Sequence, residues 1–149
     1  MTSPLKSASV YLRRAVYYIH PLAGSGGGDP SLLVAPVITL GQVVASSVLG
    51  EAVQRALDLS HHHAPWPTDW KHVSDPLFQA AGVKALSTFM NGTTNVRVDL
   101  VARNVSVLPT TSKQHRNAFA PLMDRIIRLH LGDPDELGLA VARALAVSD

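Results

Sequence analysis

Cysteine is absent from the 149 residues, and that one absence removes disulfides, thiolate zinc sites, iron–sulfur clusters and cysteine nucleophiles. Charge and aromatic rings are scarce too, at 16% and 5%, against 46% hydrophobic residues. A chain of this composition buries a substantial core and is not globally disordered, and its length fits one domain. Long apolar runs are missing: the longest reach about five residues, where a membrane-spanning helix needs ~18. Residues 1–9 hold no apolar signal-peptide core, and Arg13 and Arg14 interrupt the first apolar stretch. The triplets Asn91-Gly92-Thr93 and Asn104-Val105-Ser106 are therefore read as chance matches to the glycosylation pattern. A net charge of +2 does not imply nucleic acid unless the cations cluster. The expectation is one soluble cytoplasmic domain with no membrane partner.

What is present reads as alternating strands and helices. Residues 10–19 are β-branched and aromatic and end at His20-Pro21, where proline removes a ladder donor, so one strand is expected there. The stretch 24–30, rich in glycine, reads as a connector, and 32–40 as a second strand with Pro36 at a bulge or edge. Ser46 and Ser47 offer N-caps for a helix over 48–59, where Leu49, Ala52, Val53, Ala56 and Leu57 form one apolar stripe. Two prolines and three histidines make 61–70 a loop. Short helices are expected over 77–81, stopped at Gly82, and over 84–90, stopped at Asn91-Gly92. Val96, Val98 and Leu100 alternate in a strand over 96–101, joined to another over 105–108 by a turn at 102–104 in which Asn104 supplies φ > 0. A polar stretch over 109–117 leads to a last strand around 125–131. Asp133, Pro134, Asp135 and Glu136 then open a terminal helix, with Asp133 as N-cap.

An internal echo organises these elements. Residues 49–60 align without gaps on 137–148, and eight of the twelve positions are identical. Two alanine-rich helices on one core could converge on such residues; the stronger reading is two related strand–helix halves, about 10–60 and 94–148. The predicted fold is a single α+β domain: an antiparallel sheet of about five strands covered by two repeat-related helices, with a short helical linker between halves.

No catalytic set assembles from the sequence. The glycine run 24–28 ends in Asp29-Pro30 and feeds a strand, whereas a phosphate loop ends in Gly-Lys-Ser/Thr and opens a helix. His61, His62 and His63, with His72 and Asp69, are metal-ligand types, but consecutive side chains diverge and no second ligand pair follows. A solvent-exposed loop without metal is expected, and no cofactor. No serine sits in Gly-x-Ser-x-Gly, and most carboxylates are explained by helix caps or polar helix faces. His20 and His130 are candidate bases at strand ends, each also readable as a half-buried histidine.

Two stretches carry residues that packing does not require. From 97 to 128, Arg97, Arg103, Lys113, Arg116, Arg125 and Arg128 outnumber Asp99 and Asp124, and the polar loop holding Lys113, His115 and Arg116 is a candidate contact surface. Nucleic-acid readers interleave such cations with exposed aromatics or a recognition helix, and only Phe119 is nearby. Trp66 and Trp70, the only tryptophans, share the loop with Lys71 and His72. They either seal the open end of the core or stand exposed as binding anchors.

Several segments together resemble the CdiI-type immunity proteins of bacterial contact-dependent growth inhibition. They are Ser31-Leu32-Leu33-Val34 with Pro36, Leu49-Gly50 with 52–57, and Ala80-Ala81-Gly82-Val83-Lys84 with Phe89. Leu137-Gly138 with Ala140, Val141, Ala144 and Leu145 completes the set. The likeness spans about 10–148, rests largely on packing residues, and departs at Leu86, where the family pattern leads to tryptophan. It implies an immunity protein that binds and blocks the C-terminal toxin domain of a cognate CdiA protein, the toxin expected to be a nuclease. Such proteins share no catalytic residues, so no enzyme activity is expected. The expected toxin-binding residues are Trp66, Trp70, Lys71, His72, Arg103, Lys113, His115 and Arg116. A small nucleic-acid-binding or regulatory domain using the basic stretch is the alternative, ahead of an enzyme using His20, His130 or the histidine loop.

Overall fold

The computed structural model describes residues 4–26, 28–114 and 118–149. It opens with a hairpin. Strands β1 (Lys6–Arg13) and β2 (Val16–Ser25) pair antiparallel, from Ser7 opposite Leu22 to Arg13 opposite Val16. The single strand expected over 10–19 thus contains a reversal. Arg14 and Ala15 take φ of 49° and 63°, the left-handed pair a two-residue hairpin turn needs, without the glycine or asparagine that would have marked it. Pro21 does not end β2 either. It lacks a donor, but its carbonyl accepts from Val34 N–H at 3.3 Å, and Gly24 and Ser25, read as connector, are still in the strand.

The second expected strand divides into β3 (Leu32–Leu33) and β4 (Ile38–Gly41), either side of a cis Ala35–Pro36 bond, both pairing with β2. Helix α1 (Ser46–Leu59) starts two residues earlier than expected, and neither Ser46 nor Ser47 caps it. Ala45 is the N-cap, and Ser46 Oγ donates instead to Asp135 Oδ1. Its stripe is as read: Leu49, Val53, Ala56 and Leu57 are buried. The expected histidine loop is in part a strand, β5 (His61–Ala64), parallel to β2. The central His62 ring explains the extension, with Nδ1 3.0 Å from Gly28 O and Nε2 2.7 Å from Leu5 O.

The linker helices α2 (Asp75–Ala81) and α3 (Leu86–Met90) follow, with Gly82 ending α2 in the left-handed conformation. Strands β6 (Thr93–Val101) and β7 (Asn104–Thr111) form the second hairpin, whose positive φ of 55° belongs to Ala102 while Asn104 is already strand. The expected polar stretch 109–117 therefore begins inside β7, where Pro109, Thr110 and Thr111 are buried; residues 115–117 lie outside the described residues. Strands β8 (Ala120–Pro121) and β9 (Ile127–His130) lie against β7. Asp133 caps α4 (Pro134–Val147) as expected, its side chain accepting from Asp135 N–H at 2.9 Å.

Among the described residues the sheet has nine strands rather than about five, and it curls into a half-barrel. Five of them hold only two to four residues, too short for an alternating pattern to show in sequence. The long strands run β2-β1-β6-β7, flanked by β4 on β2 and β9 on β7. Alternation then sorts residues onto two faces. One face presents Ala8, Val10, Tyr17, Ile19, Val96, Val98, Leu100, Val105 and Val107 to α1 and α4, forming the main core. The two helices cross where each carries its Leu-Gly pair. A Cβ on Gly50 would lie 1.7 Å from Pro134 O, and one on Gly138 1.8 Å from Ser46 O. Glycine at these positions permits the close approach.

Candidate functional site

The other face of the sheet is built differently. Ser7, Ser9, Tyr11 and Arg13 of β1 alternate with the core residues, and the register sets them beside His20 and Leu22 of β2 and Asn95, Arg97 and Asp99 of β6. At one end α2 and α3 cover it: Leu77 and Phe89 pack with Tyr18, and Tyr11 meets the Phe89 ring edge-on at 5.1 Å. Arg13, buried, donates to the Phe89 carbonyl at 3.1 Å and ties α3 down. Toward the other end the face is polar. Asn95 Nδ2 donates to Ser9 Oγ at 2.8 Å and Val10 O at 3.0 Å, and Thr110 Oγ1 donates to Asn95 O at 2.7 Å. Arg97 donates from Nε to Asp99 Oδ1 at 2.8 Å, and from Nη2 to Pro30 O at 2.9 Å and Ser7 Oγ at 3.1 Å. A cleft of about 350 Å³ opens over this floor, walled by Tyr11, Leu22, Ser31, Phe119 and Pro121.

His20 lies in this face with 1% of its surface exposed. Read as a half-buried strand-end residue, it is fully buried in mid-strand, because β2 continues past Pro21. Pro21 O accepts from Nδ1 at 2.8 Å, so Nδ1 carries the proton and Nε2 presents a lone pair with no hydrogen-bond partner. The ring stacks on Tyr11, with centroids 5.7 Å apart. Burial lowers its pKa to about 4, against the small opposing effect of the Pro21 bond. Desolvation likewise raises the Tyr11 phenol. A neutral, sealed imidazole has no access to solvent, and His130, exposed at the end of β9, stands apart from it. Among the described residues no group of histidine and carboxylate side chains is placed to hold a metal ion.

The residues singled out from sequence fall in three places. Trp66 and Trp70 do not seal the core: they are 68% and 55% exposed and meet edge-to-face at 5.3 Å. Their loop is held from below. Asp69 accepts from Lys71 N–H at 2.9 Å and caps a short 3₁₀ turn, Trp70–His72. His72 sits between two carboxylates, 2.8 Å from Asp75 and 3.5 Å from Asp69. Asp69, read from sequence only as a metal-ligand type, and Asp75 thus join Trp66, Trp70 and His72 in one braced loop that also carries Lys71.

The basic residues are not brought together. Arg103, in the β6–β7 turn, donates to Leu131 O at 2.9 Å, and Lys113 lies past the other end of β7. The eight residues of β7 separate them by about 26 Å. Lys113 pairs with Asp149 at 3.2 Å, whose carboxyl is held below its usual pKa first by a hydrogen bond from Thr111 and then by Lys113. Arg125 caps α4 through Val147 O at 3.2 Å. The expected cationic surface is therefore dispersed, since each of these side chains is tied to a local partner. His115 and Arg116 lie outside the described residues.

Comparison with known proteins bears on this arrangement. The family model described as CdiI: CDI immunity protein matches residues 6–148. No curated protein matches significantly. The fold is similar to that of the protein of unknown function NMB0488 from Neisseria meningitidis, with a TM-score of 0.78 at 17% identity over 100% of this chain and 98% of that one. It is also similar to a chain in the CdiA-CT/CdiI toxin and immunity complex from Yersinia pseudotuberculosis, with a TM-score of 0.80 at 15% identity over 100% of both chains. At those identities the likeness establishes the fold, while the family model spans nearly the whole sequence: the chain belongs to the CdiI family of CDI immunity proteins.

Proposed function

We propose that this immunity protein binds the C-terminal toxin domain of a cognate contact-dependent growth inhibition protein in the cytoplasm and blocks it by occlusion, without catalysis. Family membership supports the class of function. The observation that carries the mode of binding is the exposed Trp66–Trp70 pair on a loop braced by Asp69, His72 and Asp75. Two large rings held in place lose little conformational freedom on binding, and tryptophan is the residue most enriched at binding hot spots.

The proposed toxin is a nuclease. Its substrate groove would be positive, and a plug for it needs carboxylates; Asp69 and Asp75 stand beside the tryptophans in that role, with Lys71 and His72 at the rim. Arg103 and Lys113, with His115 and Arg116, are proposed as peripheral contacts that steer encounter. The test is capture of the proposed cognate CdiA toxin domain, sought first in the neighbouring reading frames, followed by growth protection of cells producing that toxin. A tight one-to-one complex and full protection are expected. Absence of binding to that domain would remove the reading.

A further inference from the structure

The cleft on the polar face has a composition that the occlusion mechanism does not use. Its floor is an arginine whose charge is already matched. Arg97 Nε and Nη2 are committed to Asp99, Ser7 and Pro30, and Nη1 has no hydrogen-bond partner among the described residues. That leaves a donor group on a residue that lines a cavity of about 350 Å³. Asn95 and Thr110, also in the lining, spend their donors within the floor. Ser31 contributes an exposed hydroxyl at the mouth, and the remaining walls are flat or apolar: Tyr11, Phe119, Leu22 and Pro121. Tyr11 and Phe119 stand edge-to-face at 5.8 Å.

The geometry points to a binding site for a flat, neutral carbonyl group, a carboxamide on a short planar stem, accepting from Arg97 Nη1 while the stem lies against the corner formed by Tyr11 and Phe119. Three features select a neutral acceptor. The Asp99 carboxylate, 2.8 Å from Arg97 Nε, cancels the guanidinium charge and repels a second carboxylate. A cationic group would meet the guanidinium itself. The nearby imidazole of His20 stays uncharged at neutral pH because burial lowers its pKa to about 4, so it adds no charge to attract an anion. With the Nε–H and both Nη2 hydrogens already donated, the paired grip from two nitrogens by which arginine takes carboxylates is excluded, leaving one terminal nitrogen suited to one carbonyl oxygen. The inference stands apart from toxin binding, since it concerns the sheet face and not the tryptophan loop.

The experiment is an NMR titration of the isotopically labelled full chain with benzamide, with benzoate and benzylammonium as charged counterparts of the same shape. Acetylglutamine amide serves as the form a protein side chain would present. Saturable shifts at Arg97 Nε–H, the Asn95 side-chain amide and the Phe119 backbone are expected with either amide. The tighter of the two identifies the source as a small molecule or a protein-borne side chain. Benzoate and benzylammonium are expected to bind at least about fivefold more weakly. Phe119→Ala removes one wall, and Ser31→Tyr fills the mouth from an exposed position that does not threaten folding; each is expected to weaken the amide at least fivefold. Absence of saturable shifts with both amides, benzoate binding as tightly as benzamide, or Ser31→Tyr leaving the titration unchanged would each overturn the assignment.

Discussion

The two faces of one sheet are built on opposite principles. The face under α1 and α4 is an uninterrupted apolar core, with Val10, Val53, Val96, Val98, Val107, Ala56, Ala144 and Val141 wholly buried. The opposite face buries Ser7, Ser9, Arg13, His20, Asn95 and Thr110 and satisfies nearly all of them with specific hydrogen bonds. The first face is held by the area it removes from water, which is favourable without regard to direction. The second is held by geometry, and each member left without a partner carries a desolvation cost. Tolerance should therefore differ: the core face should resist loss of volume, and the polar face loss of any single partner.

Truncation tests that contrast most strongly. Leu57→Ala or Leu145→Ala should cost roughly 2–5 kcal/mol, the range for buried leucine, whereas Asn95→Ala should cost about 1–3 kcal/mol by stranding Ser9 Oγ; the Thr110 bond to the Asn95 backbone carbonyl survives the substitution. Urea unfolding measures both. A loss under about 0.5 kcal/mol at both leucines would mean that α1 and α4 do not build the core.

Acid sharpens the comparison, because His20 belongs to the polar face alone. Its folded-state pKa is lowered to about 4 from 6.5, so the unfolded chain binds the proton more readily. The stability this confers is complete above pH 6.5 and is lost as pH falls toward 4, worth on the order of 3 kcal/mol over that window. His20→Leu should flatten the stability profile between those pH values. An unchanged slope in the variant would show that His20 is not the titrating group.

We propose that the halves 10–60 and 94–148 are a structural repeat. Supporting it, β1 and β6 lie side by side at the centre, β2 and β7 flank them, and β4 and β9 lie outside those, each outer strand leading into one helix of the crossing pair. Gly50 meets Pro134, and Gly138 meets Ser46, which are matching positions in the echo. Gly50→Ala and Gly138→Ala should each destabilise by about 1–3 kcal/mol, the usual cost of overpacking, and to a similar extent. A large cost at one position with none at the other would break the equivalence. The smallest effect is expected at the tryptophan loop. His72→Ala should change global stability by less than about 1 kcal/mol, since both its ion pairs are exposed, while loosening the loop on the nanosecond timescale seen by NMR relaxation.

This division also explains what could be read from the residues. The apolar stripes of α1 and α4, the Asp133 cap and the Gly82 stop are local signals of side-chain period and backbone conformation, and the structure repeats them. The Arg14-Ala15 turn carried no such signal, since neither residue prefers positive φ. Strand β5 was hidden because its three histidines have no alternation, and pairing with β2 and the two carbonyls at His62 hold it extended. The polar face escaped notice for a further reason. Ser9, His20, Asn95 and Arg97 lie far apart in sequence, and only the register of three strands sets them together. The exposure of Trp66 and Trp70 was equally out of reach, since nothing in composition distinguishes a ring that seals a core from one that stands outside it.

The central claim, that the paired tryptophans anchor a toxin domain, rests most directly on one affinity. The dissociation constant of Trp66→Ala/Trp70→Ala for the proposed cognate toxin domain should be compared with that of the unaltered chain. Both rings are exposed, so the melting temperature of the double variant should not change. A hot spot worth about 2 kcal/mol or more corresponds to an affinity loss of about 30-fold or greater, appearing mainly as faster dissociation. An affinity within about twofold of the unaltered chain would contradict the assignment of this loop as the anchor.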